Sequence, residues 1–341
     1  MIDRMLRMAD KRGWVARAQL IADEVLFPAA ASVERLDRVP ADHLDLLATE
    51  GFYGIAAPTG FGGLGRDRFP ELADVIAALA GGCLTTTFVW LQHLAPLMAV
   101  AAVAEPRDRE RWLGPLAQGR VRAGLVMTRP DLIRVRTVPG GYLLTGESAW
   151  VTGWGLVDVL LVGGVDDRGL LHFFMVDARG SDTLTARPIQ LMAVQASRTV
   201  SLQFDDHFVP GDRLGRTEPF DSFVAAEARG SVMNGFLALG LAGRCARLLG
   251  ADDLDADIAD ARIRLLTATG DEVPEARAHS SLLAARAAGR LMVQTGSRSV
   301  LADQHAGRIY RESGFLLVFG LRPAIKDSML RRLSAPVDAP V

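Results

Sequence analysis

The residues best equipped for chemistry lie together in one stretch, GGYLLTGESAWVTGWGLVDVLLV, Gly140 to Val162. Trp150, Val151 and Thr152 are followed by Gly153, Trp154 and Gly155: large planar side chains, a hydroxyl, and two glycines where backbone can turn tightly or approach a ligand. Such a set suits a flat polar ring. It equally suits a core tryptophan beside an ordinary turn, because buried Trp is common. His93 stands with Trp90 and Gln92 on a segment that is apolar on most faces. A lone histidine there reads first as a hydrogen-bonded core group and only second as a catalyst. The glycine-rich run GFYGIAAPTGFGGLGRD invites a phosphate-binding reading, but it matches neither G-x-x-x-x-G-K-[ST] nor a strand-turn-helix G-x-G-x-x-G. It reads as a long loop around Pro58.

A sheet must hold Gly140 to Val162. Its first half alternates apolar and polar residues behind Gly140-Gly141, and its second half is a nearly continuous apolar run closed by Gly163-Gly164, so a strand pair is expected. AGLVMT, GGYLLTGESAWVT, VDVLLVGGV, LLHFFMVDA, TARPIQLM and TVSLQFDDHFVP are strand-like runs with turns between them, which implies a small β barrel or sandwich ended by Pro210, Gly211 and Asp212. Before them the period is helical: residues 1–50, Phe69 to Ala80, Thr85 to Ala104, and Arg107 to Gly119. After Pro219 it is helical again, over Phe220 to Gly250, Leu254 to Thr267, Pro274 to Gln304 and Ile309 to Leu333, with short polar breaks that suit an antiparallel bundle. Three domains are expected, 1–120, 121–215 and 216–333, with a disordered tail at 334–341.

Composition narrows the function classes. Hydrophobic residues at 49% and charged residues at 23% describe a globular chain, and a net charge of -2 offers no basic field for nucleic acid. Cys83 and Cys245 are too few for a disulfide framework or a cysteine metal site, which suggests a reducing compartment. The start MIDRMLRMADKRGW lacks the apolar core of a signal peptide, and no later segment is an uninterrupted apolar run of membrane-spanning length. A cytoplasmic location, with no membrane partner and no metal, is expected.

Several stretches, in order along the chain, resemble motifs of the acyl-CoA dehydrogenase family. GFYGIAAPTGFGGLG is similar to its early G…G…P…GGLG loop, RWLGPLAQGR to its Leu-Pro-x-Leu-x-x-Gly turn, and VMTRP stands where the family has Thr-Glu-Pro. GYLLTGESAWVT stands where it has Gly-Tyr-x-Leu-x-Gly-x-Lys-x-Trp-Ile-Thr, and LQFDDHFVPGDRLG resembles its Phe-x-x-Val-x-Val-Pro-x-x-x-x-Leu-Gly. The resemblance implies an α+β fold with an N-terminal helical domain, a central β barrel and a C-terminal helix bundle. It implies an FAD cofactor and α,β-dehydrogenation of an acyl-CoA or acyl-carrier-protein thioester, with hydride transfer to flavin N5. Leu125, Met127 and Thr128 would border the isoalloxazine ring, and Trp150, Val151 and Thr152 would flank its other side, with Thr152 near N5. Members associate through the bundle, so a homo-oligomer, or a hetero-oligomer with a paralogue, is implied.

The departures are specific. Thr128 is followed by Arg129-Pro130-Asp131-Leu132-Ile133-Arg134, without the small residues of the family's phosphate- and carrier-binding loop, and Arg129 replaces its acid. No Arg-x-x-Phe-Gly segment lies between Arg247 and Arg262, and no Gln-x-x-Gly-Gly-x-Gly turn around Val293 to Gly307. The family's α-proton base, a glutamate before a Gly-Thr pair, would fall at Phe319 or Gly320, and its minority position near Gly230. Neither place holds a carboxylate. Glu227, three residues before Gly230, is the first surviving candidate, His93 the second and Asp221 the third. Glu227 also reads as a helix-start carboxylate stabilised by the macrodipole. A working base needs a dry pocket near the carbon it deprotonates. Loss of both glutamates leaves two further readings open: a flavin monooxygenase or oxidase that needs no α-base, and a non-catalytic half-site subunit that pairs with a complete paralogue.

Overall fold

In a computed structural model, which describes residues 13–102, 106–227 and 230–334, the alternation of the middle third becomes one eight-stranded sheet. Its strands are β1 (Ala123–Val126), β2 (Ile133–Val138), β3 (Gly141–Val151), β4 (Val159–Val165), β5 (Leu170–Asp177), β6 (Leu184–Pro188), β7 (Val200–Pro210) and β8 (Leu214–Pro219). The order is β6-β7-β3-β2-β4-β5-β8, with β1 beside β4. β1 and β2 run parallel to β4, and the other pairs are antiparallel. This pairing path has β6 and β8 at its ends.

Two strands carry no clear signal in the sequence. β2, IRVRTV, buries Ile133 and Val135 and exposes Arg134 and Arg136, a period of two disguised by its arginines. β8 follows Pro210-Gly211-Asp212 and is held by its ladder to β5, from Leu170↔Pro219 to Phe174↔Leu214, which carries the sheet past the expected boundary at 215. The expected strand pair of Gly140 to Val162 resolves into β3 and β4, yet the two are not partners, because β2 lies between them. Their connection is tied elsewhere: the amides of Gly153 and Trp154 donate to the carbonyls of Ser197 and Arg198.

The helices are α1 (Trp14–Ile21), α2 (Phe27–Val33), α3 (Ala41–Thr49), α4 (Phe69–Gly82), α5 (Leu84–Leu91), α6 (Leu94–Ala102), α7 (Pro106–Ala117), α8 (Phe220–Glu227), α9 (Met233–Leu249), α10 (Asp253–Thr267), α11 (Glu272–Thr295), α12 (His305–Val318) and α13 (Pro323–Leu333). Leu84–Ala102 is long and apolar enough to cross a membrane by length and composition alone, and 72% of that window is buried in the protein. The N-terminal residues 1–12 and the tail from 335 onward lie outside the described residues.

Contacts divide the chain into two units rather than three consecutive domains. One comprises Met1–Glu34, Ala73–Leu84 and Val224–Val341, and the other Arg35–Leu72 and Thr85–Phe223. The first unit gathers the bundle helices together with α1, α2 and most of α4. Small residues allow this: a Cβ on Gly240 of α9 would lie 2.3 Å from the Ala77 carbonyl oxygen of α4. Its interior carries charge, since Arg308 binds both oxygens of Glu312, and Arg244 reaches Asp23 and the Gly81 carbonyl while lying over the Phe27 ring. In the second unit the sheet has two apolar faces. Leu171, Phe173 and Met175 of β5 pack with Leu97, Trp112, Leu113 and Leu116 from α6 and α7, while Phe174 and Val176 face Ile133, Leu144, Leu202 and Phe204.

Gly146, inside β3, adopts φ +143, and a Cβ there would stand 2.0 Å from the Leu132 carbonyl oxygen. A Gly146→Ala variant is expected to lose at least about 2 kcal/mol of unfolding free energy. Gly140→Ala, at φ +81 in open space, should lose only about 1 kcal/mol. Urea unfolding of both variants measures the difference, and equal losses would mean that the carbonyl contact does not fix the strand.

Candidate functional site

The six residues that the resemblance assigns to a flavin all lie in the second unit. β1 carries Leu125, paired with Leu161 of β4, and leads into Met127 and Thr128. Leu125 and Met127 are half-buried against the helix-facing core, and Thr128 is exposed. Gly163 gives Met127 its place, since a Cβ there would lie 2.6 Å from the Met127 sulfur. Arg129, where the family has an acid, adopts φ +54, and its guanidinium is bound to Asp131 in the same turn.

At the end of β3 the register with β7 breaks between Ser148 and Val151. Trp150 takes φ +64 there and turns its side chain outward, 57% exposed, while Val151 and Thr152 are buried. A bulky aromatic residue with positive φ is uncommon, and such strain clusters at sites that hold ligands. The other described tryptophans are buried or half-buried, so Trp150 alone offers an open indole for a planar ring to cover. Thr152 fits less simply. The residue is 2% exposed, and its hydroxyl lies 3.0 Å from the hydroxyl of Thr199, which is 2.8 Å from that of Ser197. One hydroxyl has a hydrogen and two acceptor positions, so Thr152 can keep Thr199 and still make one further bond. An exposed indole, a half-buried apolar strand and a hydroxyl with spare capacity fit a flavin.

His93 is a brace. Its Nε2–H donates to the Leu116 carbonyl at 3.1 Å, and its Nδ1 accepts the Ala123 amide at 3.0 Å. Tyr53 packs edge-on against the ring. With both nitrogens engaged and burial holding its pKa down to about 3, the imidazole stays neutral and ties α7 to the start of β1. The structure therefore corrects the reading of His93 as an acid-base candidate.

The other base candidates fare no better. Glu227 is the last residue of α8, not a helix-start carboxylate, and it is ion-paired with Arg322; both side chains are about two-fifths exposed. Asp221 is exposed in the first turn of α8. Of the places the resemblance assigns to a base, near Gly230 and at Phe319 or Gly320, Gly230 has φ +75 with Ile325 2.8 Å from where a Cβ would stand, and Gly320 has φ +63 with Asn234 at 2.7 Å. A glutamate at either glycine would hold a strained left-handed backbone, and the end of the Ile325 or Asn234 side chain would have to shift.

Between the segments that carry these glycines lies Arg277 of α11, which the sequence reading missed. Its guanidinium donates to the Ser231 carbonyl at 2.7 Å and to the Phe319 carbonyl at 3.3 Å. It is 2% exposed, and its Nε–H has no partner among the described residues. Charged hydrogen bonds contribute about 1.5–3 kcal/mol each, but burying an ion costs several kcal/mol and an unmade buried bond about 1–3 more. Burial accordingly pulls the Arg277 pKa down to about 10, so the group is still a cation at neutral pH. The only hint in the sequence is an arginine among small residues, PEARAHSS.

A small apolar hollow, part of it open to solvent, lies between Val100, Trp112, Phe173 and Met175 under residues 212–216. None of the expected site residues line it, and Asp212, Arg213 and Arg216 at its rim are paired with Arg111, Asp177 and Glu218.

Residues 9–120 match the family described as acyl-CoA dehydrogenase, N-terminal domain. The chain is 28% identical over 236 residues to benzylmalonyl-CoA dehydrogenase of Aromatoleum aromaticum, a stretch that covers 65% of this chain and 62% of that protein. The match thus spans less than two thirds of that relative's length. Among solved structures, a probable acyl-CoA dehydrogenase from Mycobacterium abscessus superposes with a TM-score of 0.82 at 19% identity, covering 95% of this chain and 99% of that one. PigA with FAD and proline superposes at 0.80 with 16% identity, covering 94% and 96%. At those identities the structures show a common fold.

A folded-state pKa below the unfolded value means that the unfolded chain takes up the proton first, so His93 should contribute stability that is lost as pH falls. The loss should begin near 6.5 and continue toward about 3, at up to about 1.4 kcal/mol per pH unit. A His93→Asn variant should be less stable at neutral pH and lose less on acidification. Parallel stability curves for the two proteins would show that His93 does not titrate in this way.

Proposed function

We propose, on the premise that this chain belongs to the acyl-CoA dehydrogenase family, that it is an FAD-dependent oxidoreductase acting on an acyl thioester of CoA or an acyl carrier protein. The observation that supports this reading is Trp150, a strained and exposed indole beside Thr152. Leu125 and Met127 would supply the apolar wall for the isoalloxazine ring, Trp150 would cover its dimethylbenzene end, and Thr152 would offer a hydroxyl toward N5. When bound, the flavin supplies the acceptor for a hydride from the acyl β-carbon. Val151 and Thr152 keep that wall rigid, because their neighbours Gly153 and Trp154 are bonded to the chain at Ser197 and Arg198.

The closed positions at Gly230 and Gly320 and the doubly bonded His93 favour a second reading, in which a reduced flavin meets oxygen and no α-proton is removed. Association through the bundle, with a second copy or a paralogue, is supported by exposed Val293, Val300, Leu301 and Tyr310. Cys83 and Cys245, both buried and neither in a disulfide, suit the reducing cytoplasm.

Purified protein should show flavin bands, or gain them on addition of FAD, and an acyl thioester should bleach them without oxygen. A colourless protein that takes up no FAD would sink the proposal, whereas bound flavin that only an external reductant bleaches, followed by oxygen uptake, would favour the second reading. Glu227→Gln should leave turnover within about twofold of wild type, as a partner in a half-exposed ion pair rather than a base. A large loss of turnover with unchanged stability would restore Glu227 as the base.

A further inference from the structure

Arg277 differs from the other arginines buried in the bundle unit. Arg308 is bound to Glu312 and Arg244 to Asp23, so each has a carboxylate of the chain itself. Arg277 has two backbone carbonyls and, among the described residues, no anion. We propose that Arg277 is a carboxylate-binding residue, and that its partner is an acid group on the acyl chain of the substrate.

A guanidinium carries five N–H donors, of which Arg277 uses one from each Nη, leaving Nε–H and two Nη hydrogens. Nε and the adjacent Nη form a side-on fork whose spacing matches the two oxygens of a carboxylate. Charge argues for the same ligand class. The described residues bring no second cation to this guanidinium, so a single negative charge neutralises it, whereas a phosphate dianion would leave excess charge in a dry place. The backbone that covers the group is thin: Ser231 and Gly320 are exposed, and a left-handed glycine lies in each segment, Gly230 and Gly320. Both segments are those to which the resemblance assigns a glutamate in other members. The ligand would thus bring to this place the negative charge that this chain does not.

The source of the carboxylate rests on the thioester reading, but the site can be tested without flavin or thioester. Wild-type protein, Arg277→Met and Arg277→Lys are melted in sodium glutarate, sodium phosphate and sodium chloride at matched ionic strength. Glutarate should raise the wild-type Tm by about 4 °C or more above chloride, and phosphate should not. Arg277→Met should lose the rise, and Arg277→Lys, which keeps the charge without the fork, should keep only part of it. Without glutarate, Arg277→Met should melt no lower than wild type, since an apolar side chain removes an uncompensated charge. A wild-type Tm indifferent to glutarate, an equal response to phosphate, or a rise that survives in Arg277→Met would each overturn the proposal. If Arg277→Met does not fold, an undiminished response in Arg277→Lys overturns it and a reduced one supports it.

With active holoenzyme, Arg277→Lys should raise KM for a thioester with a terminal carboxylate and leave that for a neutral thioester of equal length unchanged. A carboxylate response in melting, without turnover of either thioester, would defeat the proposed function and leave the site standing.

Discussion

The sheet depends on β3, whose first half pairs with β2 on one side and which pairs with β7 from Gly141 to Val151 on the other. Its ladder to β7 cannot stay regular. Gly146 follows one break in register, after Leu144, and Trp150 lies within the second, between Ser148 and Val151. A bulge shifts every later side chain to the opposite face, so the second break decides that Val151 points into the core and that Trp150 does not. Without it, an indole would be buried and a valine exposed. The chemistry available to the sheet unit therefore follows from a pairing irregularity and not from the tryptophan alone.

That irregularity needs support, which comes from the segment joining β6 to β7. Val194 and Arg198 adopt left-handed conformations there, unusual for residues with side chains. They place the carbonyls of Ser197 and Arg198 against the amides of Gly153 and Trp154, and the hydroxyls of Ser197 and Thr199 beside Thr152. Two strained residues thus secure a third, Trp150, by satisfying backbone donors that a turn after β3 would otherwise leave unpaired.

How much of this was legible in the sequence varies with how local its cause is. Trp150, Val151 and Thr152 could be singled out because composition and spacing are local, and the resemblance gave them a purpose. The helical thirds and most strands follow from their period. β8 could not be read, since its partner β5 lies far along the chain and its own pattern is polar. β2 could have been, since Ile133 and Val135 alternate with arginines, but proximity to Pro130 made it look like loop. The role of His93 was open until both ring nitrogens had named partners. Arg277 had only a faint signal, an arginine among small residues, because what distinguishes it is the lack of a counter-charge among the described residues, and the sequence has acids in abundance that the fold sends elsewhere.

The bundle unit turns that missing charge into a constraint on mechanism. An α-proton base must be a carboxylate with raised basicity, which requires a dry setting and no close cation. Here the segments suited to such a group hold left-handed glycines, beside the side chains of Asn234 and Ile325, and a buried guanidinium bonds to both segments. A glutamate restored at Gly320 would need a strained backbone, displacement of Asn234, and a position near a cation that lowers its pKa and so weakens it as a base. A carboxylate base at Gly320 would therefore require changes at Asn234 and Arg277 together with the glycine.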